Sequence, residues 1–507
     1  MGWQVATTPL IFRPRDRAFA IDQPQLAEMS NSAGAPLMEL FALAVLLLFQ
    51  VAAYRLESSL MDKANFITPT CLIIILGWTS FSIVRRDFAN LWMPILWARL
   101  ALIAYYGAGS LVPYISNEYT AAMLDAFYLA FPTDVARYNL VCCVFALVLL
   151  STSRGTTSLL RTSQHIGKIV TWRPRSSGFS ARNIGLSFLA LGMIANYGFV
   201  VPHAFGFVDG LLPQVVSQIA LLTMVGYYIL TYQASSRNSK DLIWISALVI
   251  TEMTIGVLEL AKTNAILPLV VSAIGYIQGR PTSRRLLISA AAVALFYFFV
   301  APVVTYGRAV LADTYGSIVV SASLSERWDI VSGYTPERAQ ALNENEIQVA
   351  WARLAYVNAG TFAINQFDAG LPGASLEYAF VSLVPRFIYP DKPNITDVGR
   401  DFNVAVTGNP NSQSSPGVPS EAYWNFGWFG VFVVSVYVGV LLTALSMYAR
   451  AVVVAEAWYL IPILLISLRM GIRMDGFFVA DFVGPLPIII VAHIALTFLN
   501  NLTLKKK

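Results

Sequence analysis

Charge is what this sequence has least of. Of its 507 residues only 12% are Asp, Glu, Lys or Arg, about half the usual soluble level, while 56% are hydrophobic. That scarcity excludes an ordinary water-soluble domain. Cysteine is nearly absent: Cys71, Cys142 and Cys143 all lie inside apolar runs, which leaves neither a disulfide framework nor a cysteine metal site. The histidines are His165, His203 and His493, none of them in the long polar stretch from 305 to 425. A net charge of +5 invites a nucleic-acid reading, but no Lys/Arg stripe interleaved with aromatics accompanies it, so no nucleic-acid partner is expected. Residues 1–36 carry Arg13, Arg15 and Arg17 against Asp16, Asp22 and Glu28, without the layout of a cleaved signal peptide. They read as a cytoplasmic N-terminal segment ahead of a retained first span.

What the chain does have is apolar runs of roughly 15 to 23 residues, near the ~20 that cross a hydrocarbon core. They lie near 37–54, 67–84, 91–112, 138–152, 183–202, 211–232, 242–260, 264–278, 286–304, 426–447, 457–470 and 482–500. In lipid every backbone polar group needs a partner within its own segment, so these runs predict helices. The expected fold is all-α: a polytopic transmembrane bundle of about twelve spans with one large external loop containing short helices. Nine spans fill 37–304, the loop fills 305–425, and three spans with a cytoplasmic tail fill 426–507.

Loop charge orients the bundle, since cytoplasmic loops are rich in Lys and Arg. Segment 153–182 holds Arg154, Arg161, Lys168, Arg173, Arg175 and Arg182 with no acid. Arg85 and Arg86, Arg237 and Lys240, Arg280, Arg284 and Arg285, Arg450, and Lys505 to Lys507 fall on the same side by alternation. Both termini are then cytoplasmic. The 305–425 loop, with seven Lys/Arg against twelve Asp/Glu, falls outside, in keeping with a multi-pass inner-membrane protein.

Chemistry is expected in that loop, because long loops rarely lack a purpose. Residues 343–366 place Ile347, Trp351, Leu354, Ala355 and Phe362 on one face of a predicted amphipathic helix, with Arg353 well off it. LVPRFIYPDKP at 383–393 is a proline-stiffened turn carrying Arg386 and Lys392, either a preorganised pair of cations or interfacial anchors. Glu421 sits at the mouth of the tenth span, as helix cap, acceptor or base. Glu252 and Glu259 stand seven apart on one face of the seventh span with Lys262 three further on, as a cavity lining or a structural pair.

PGVPSEAYWNFGWFGVFVVSVYVGVLL, from Pro416, resembles the signature of the O-antigen and exopolysaccharide repeat-unit polymerases, the Wzy family. PRFIYPDKP is similar to that family's Pro-Arg…Pro…Lys-Pro element, and together the two cover about 50 residues. Lys262 departs from the arginine that relatives tend to have at the corresponding junction, and lysine lacks the bidentate fork. The resemblance implies an enzyme that joins undecaprenyl-diphosphate-linked oligosaccharides at the outer face of the membrane. Its partners would be those substrates, membrane lipid, a chain-length regulator and a flippase. It assigns catalysis to Arg386, Glu421 and Arg353, and substrate binding to Arg308, Lys392, Lys262, Asn425 and Tyr423. The outer loop offers cations in place of a His or acid cluster, so neither metal nor other cofactor is expected. Two alternatives stay open: an O-antigen ligase, which typically has a functional histidine in its outer loop, and a lipid-linked oligosaccharide flippase or other transporter.

Overall fold

The computed structural model describes residues 36–505 except 57, 117, 163–173, 209–213, 316–321, 342–350, 385–388, 390, 392–396, 409 and 411–412. Among the described residues every regular element is helical. Ten helices are long and apolar enough to cross a membrane, which makes the chain a multi-pass integral membrane protein. In chain order the first seven are α1 (Leu37–Leu56), α2 (Ser58–Arg86), α3 (Pro94–Ile115), α4 (Pro132–Thr162), α5 (Ala181–Ala204), α6 (Val215–Arg237) and α7 (Asp241–Leu258), and the other three begin at Ser283, Val418 and Val479. Of the twelve spans expected from sequence, two fall outside these ten: α8 (Lys262–Gly279), as long as α7 but less apolar, and the shorter apolar helix α16 (Trp458–Ile472). Between them run α9 (Ser283–Tyr315), the loop helices α10 (Leu324–Ser332), α11 (Pro336–Ala341), α12 (Val357–Asp368), α13 (Tyr378–Leu383) and α14 (Asp397–Thr407), and the long α15 (Val418–Val454). The chain ends on α17 (Val479–Leu504).

Two packed groups carry the bundle. In the first, α15 lies against α4, with α1, α2, α3 and α16 around them; in the second, α5, α6, α7 and α8 pack on one another. Lipid tails are as apolar as leucine, so such packing depends on close approach of backbones at small residues. A Cβ at Gly226 of α6 would lie 2.7 Å from Leu189 Cβ of α5, and one at Gly275 of α8 would lie 2.6 Å from the Tyr228 carbonyl oxygen. Buried charge appears where it is paired: Arg99 of α3 and Glu39 of α1 are both fully buried and meet at 3.2 Å, with Thr79 donating to the same carboxylate at 2.8 Å. Glu252 of α7 accepts from Asn196 Nδ2 and Tyr197 Oη, each at 2.6 Å.

Three spans contain π-helical segments, Leu102–Ala108 in α3, Asn196–Val200 in α5 and Val479–Val483 in α17. A π segment takes one more residue per turn and recurs at functional sites. The first carries Tyr105 and Tyr106, the third Asp481.

Two sequence expectations change. The amphipathic helix over 343–366 is interrupted among its described residues: tight turns at 353–356 separate the 351–352 turn from α12. Tertiary packing overrides the periodicity, because the Leu354 carbonyl lies directly on Gly109 of α3, where no Cβ fits. The tenth span begins at Val418, not 426, and is broken: Phe426 (φ −142°, ψ 23°) and Gly427 (φ 58°, ψ −144°) leave helical geometry. Its first eight residues therefore form a separate buried turn of helix that belongs to the loop face of the bundle.

Candidate functional site

The loop face gathers the polar chemistry around the connection between α16 and α17, residues 473–478. Arg473 donates from Nε to Asp481 Oδ1 at 3.1 Å and lies 3.8 Å from Asp475 Oδ2. Asp475 also accepts from Tyr356 Oη at 3.3 Å, just ahead of α12, while its Oδ1 is buried with no partner among the described residues. Tyr356 stacks edge-on with Tyr105 at 5.4 Å, so the π segment of α3 forms one wall. Burial works against the charge of Arg473, but the carboxylates of Asp481 and Asp475 outweigh it and hold the guanidinium above its ordinary range. Burial raises the Asp475 carboxyl, and Arg473 opposes that rise.

Further guanidinium groups border this cluster. Arg469, one helical turn before Arg473, is exposed and close enough to feel both Arg473 and Asp481, yet among the described residues its guanidinium makes no hydrogen bond or ion pair. Arg353, on the turn before Tyr356, is likewise exposed and unpaired there, within electrostatic reach of Arg308 and Tyr297. Tyr105 links the two halves, since it feels Arg473, Asp475, Asp481 and Tyr297. Arg353 near Arg308 and Arg469 near Arg473 each set like charges within reach of one another, a repulsion that a bound anion would relieve.

Beneath the cluster, the chain leading into α15 is strapped to the α16–α17 connection. Ser415 Oγ donates to the Gly476 carbonyl at 2.9 Å, Val418 N–H to the Met474 carbonyl at 3.1 Å, and Phe478 N–H to Glu421 Oε2 at 2.6 Å. Gly417 holds φ at 78° with Tyr106 Oη against it, a conformation and a clearance that only glycine meets without strain. The other carboxylate oxygen, Oε1, accepts from Ser375 Oγ at 2.5 Å. Asn425 Nδ2 donates to Ser375 Oγ at 2.9 Å and Oδ1 accepts from Leu376 N–H at 3.2 Å, which fixes the start of the α13 region.

The residues singled out in sequence scatter over three places. Arg353 and Arg308 come together; Arg308 Nε also donates at 2.8 Å to the carbonyl of Leu260, a residue at φ 55° that Arg327 further braces through the Leu258 and Glu259 carbonyls. Lys262 opens α8 two residues beyond that turn, and Asn264 Nδ2 donates to Glu259 Oε2 at 2.7 Å. Glu421 and Asn425 share one buried node, and Glu421, with no exposed surface and both oxygens occupied, faces protein rather than the open cluster. Tyr423, on another face of the same turn, accepts from Arg137 at 2.6 Å and donates to Asp368 at 3.2 Å, and Arg137 also pairs with Asp368. Arg386 and Lys392 lie outside the described residues. Missed in sequence were Arg469, Arg473, Asp475, Asp481, Tyr105 and Tyr356. The available signal was RMGIRMDG at 469–476, two arginines four apart at the end of an apolar helix, which place both on one face.

Comparison with protein families, with curated proteins and with solved structures finds no match.

Proposed function

We propose that this protein joins undecaprenyl-diphosphate-linked oligosaccharide repeat units into O-antigen or exopolysaccharide at the outer face of a bacterial inner membrane. The observation that supports this most is that two exposed arginines make no ion pair among the described residues, Arg353 near Arg308 and Arg469 near Arg473, where spans give way to loop helices. A lipid carrier with its tail between helices and its sugar in water puts its diphosphate at that depth. The sequence resemblance of the 416–442 and 385–393 segments points to the same substrate.

In this reading a hydroxyl of the acceptor unit attacks the anomeric carbon of the donor. The C1–O bond to phosphate breaks, its electron pair leaves with undecaprenyl diphosphate, and the arginines neutralise the growing charge. The sequence resemblance adds Arg386, from its proline-rich segment, to the residues that would carry this charge. Both termini are cytoplasmic, on the charge asymmetry of the connecting loops. A cysteine at position 410 is then labelled by an impermeant reagent from outside and one at position 170 is not; the reverse pattern overturns the orientation.

The deciding experiment is reconstitution with a synthetic undecaprenyl-diphosphate repeat unit and no nucleotide sugar. Elongated product is expected, also in excess EDTA, because guanidinium groups carry the charge. No elongation refutes the function; elongation that EDTA abolishes and magnesium restores refutes the metal-independent scheme. Transfer only to a different acceptor would make the protein a ligase.

A further inference from the structure

We infer that Glu421 is a positioning residue for the arginine cluster, acting through the backbone of the α16–α17 connection rather than on substrate. The inference deepens the proposed function and rests on it for the activity arm of its test. Three contacts strap residues 415–421 along residues 474–478, and they alternate with the working side chains. Met474 and Gly476 are gripped through their carbonyls and Phe478 through its N–H. Arg473 precedes the first grip, and Asp475 stands between the first and second. Asp481 follows within one turn of the third and returns to Arg473 at 3.1 Å. Any sliding of 474–478 relative to the strap would therefore move Arg473 and both of its carboxylates at once.

Glu421 supplies the only ionisable contact of the three, and it is doubly committed. One oxygen takes the Phe478 N–H at the start of α17, the other takes Ser375 Oγ, which Asn425 secures from the far side. The carboxylate thus ties together the loop ahead of α13, the broken turn of α15 and the first turn of α17. Its complete burial leaves no surface for a sugar hydroxyl. A carboxylate accepting from a helix's first N–H groups is also favoured by the helix field. The PGVPSE run reads accordingly as hardware for the strap. Gly417 permits the turn over Tyr106, Pro419 starts the helix without needing its missing N–H, and Glu421 reaches across.

The test compares Glu421→Gln with Glu421→Ala in full-length protein in nanodiscs. Gln retains an oxygen for Phe478 N–H and an amide that can donate to Ser375 Oγ; Ala retains neither. Hydrogen exchange at the Phe478 amide and the affinity for inorganic pyrophosphate need no turnover, so they decide the positioning claim even if the wild type makes no polymer. Expected for Ala are exchange faster by at least about tenfold, pyrophosphate binding weaker by about tenfold, and, with lipid-linked saccharide, a fall in kcat exceeding any rise in KM. Gln restores all of these to within a few-fold. The inference is overturned if the Gln variant is as inactive as Ala while its Phe478 amide stays protected, for then the carboxylate acts chemically. It is overturned equally if Ala leaves exchange or pyrophosphate affinity unchanged.

Discussion

Arg469 and Arg473 lie one helical turn apart, yet the structure assigns them opposite consequences when truncated. The Arg469 side chain is exposed and has no hydrogen bond or ion pair among the described residues, so Arg469→Ala breaks none and removes repulsion from Arg473 together with a weaker attraction to Asp481. Stability should stay within about 0.5 kcal/mol of wild type, the range for surface changes away from special features. If the side chain is there to meet a diphosphate, truncation loses a charge-assisted bond of about 1.5 to 3 kcal/mol, or about 10- to 150-fold in affinity. Arg473→Ala instead strands two carboxylates that are only 16% and 17% exposed, one of which already has an unpartnered oxygen. Breaking a fully buried pair costs about 3 to 5 kcal/mol and a surface pair about 0 to 1; with Arg473 44% exposed, about 1 to 3 kcal/mol is the reasonable range. Thermal unfolding of the detergent-solubilised variants and calorimetric titration with pyrophosphate separate the two. Arg473→Ala should lower Tm by several degrees; Arg469→Ala should leave Tm unchanged and weaken binding. Equal losses of Tm, or wild-type pyrophosphate affinity in Arg469→Ala, would refute the reasoning.

Two further outcomes follow from the same charges. Arg386→Ala should leave single repeat units on a protein of normal abundance, with Arg386→Lys intermediate because it keeps charge without the fork; Arg338, whose guanidinium only caps the Gly333 carbonyl at 2.9 Å, should tolerate Ala. Normal polymer from Arg386→Ala removes that residue from the site. Arg99→Ala should destabilise by about 3 to 5 kcal/mol by leaving Glu39 buried without its cation, and adding Glu39→Gln should recover part of the lost Tm; a double variant no better than the single contradicts the pairing account.

Most of the fold was legible because each span must satisfy its backbone alone, so about twenty apolar residues announce themselves without knowledge of their neighbours. The apolar runs of α8 and α16 were read the same way. The break at 353–356 was not legible, since it depends on Gly109, more than two hundred residues earlier in the chain. Glu421 illustrates the same limit for the site. Its position at a helix start was evident, but its partners, Ser375 and Phe478, stand 46 and 57 residues away, and only the fold reveals that both oxygens are spoken for. Arg353 and Arg308 were found by asking where cations cluster in a loop. Arg469 and Arg473 escaped because they sit at the end of an apolar run, where an arginine ordinarily marks a membrane boundary.

The π segment at Val479–Val483 makes the last helix sensitive to sequence length in an unusual direction. Each such segment holds one residue more than an α-helical path requires, so a deletion there tightens a wide turn. Removing Ala480 would turn Phe478 and the residues before it by about 100° against those after it. Phe478 and Asp481 would then no longer face Glu421 and Arg473 together. A shortened chain of this kind should insert, fold and span as before, yet hold the α16–α17 connection out of phase with the last span.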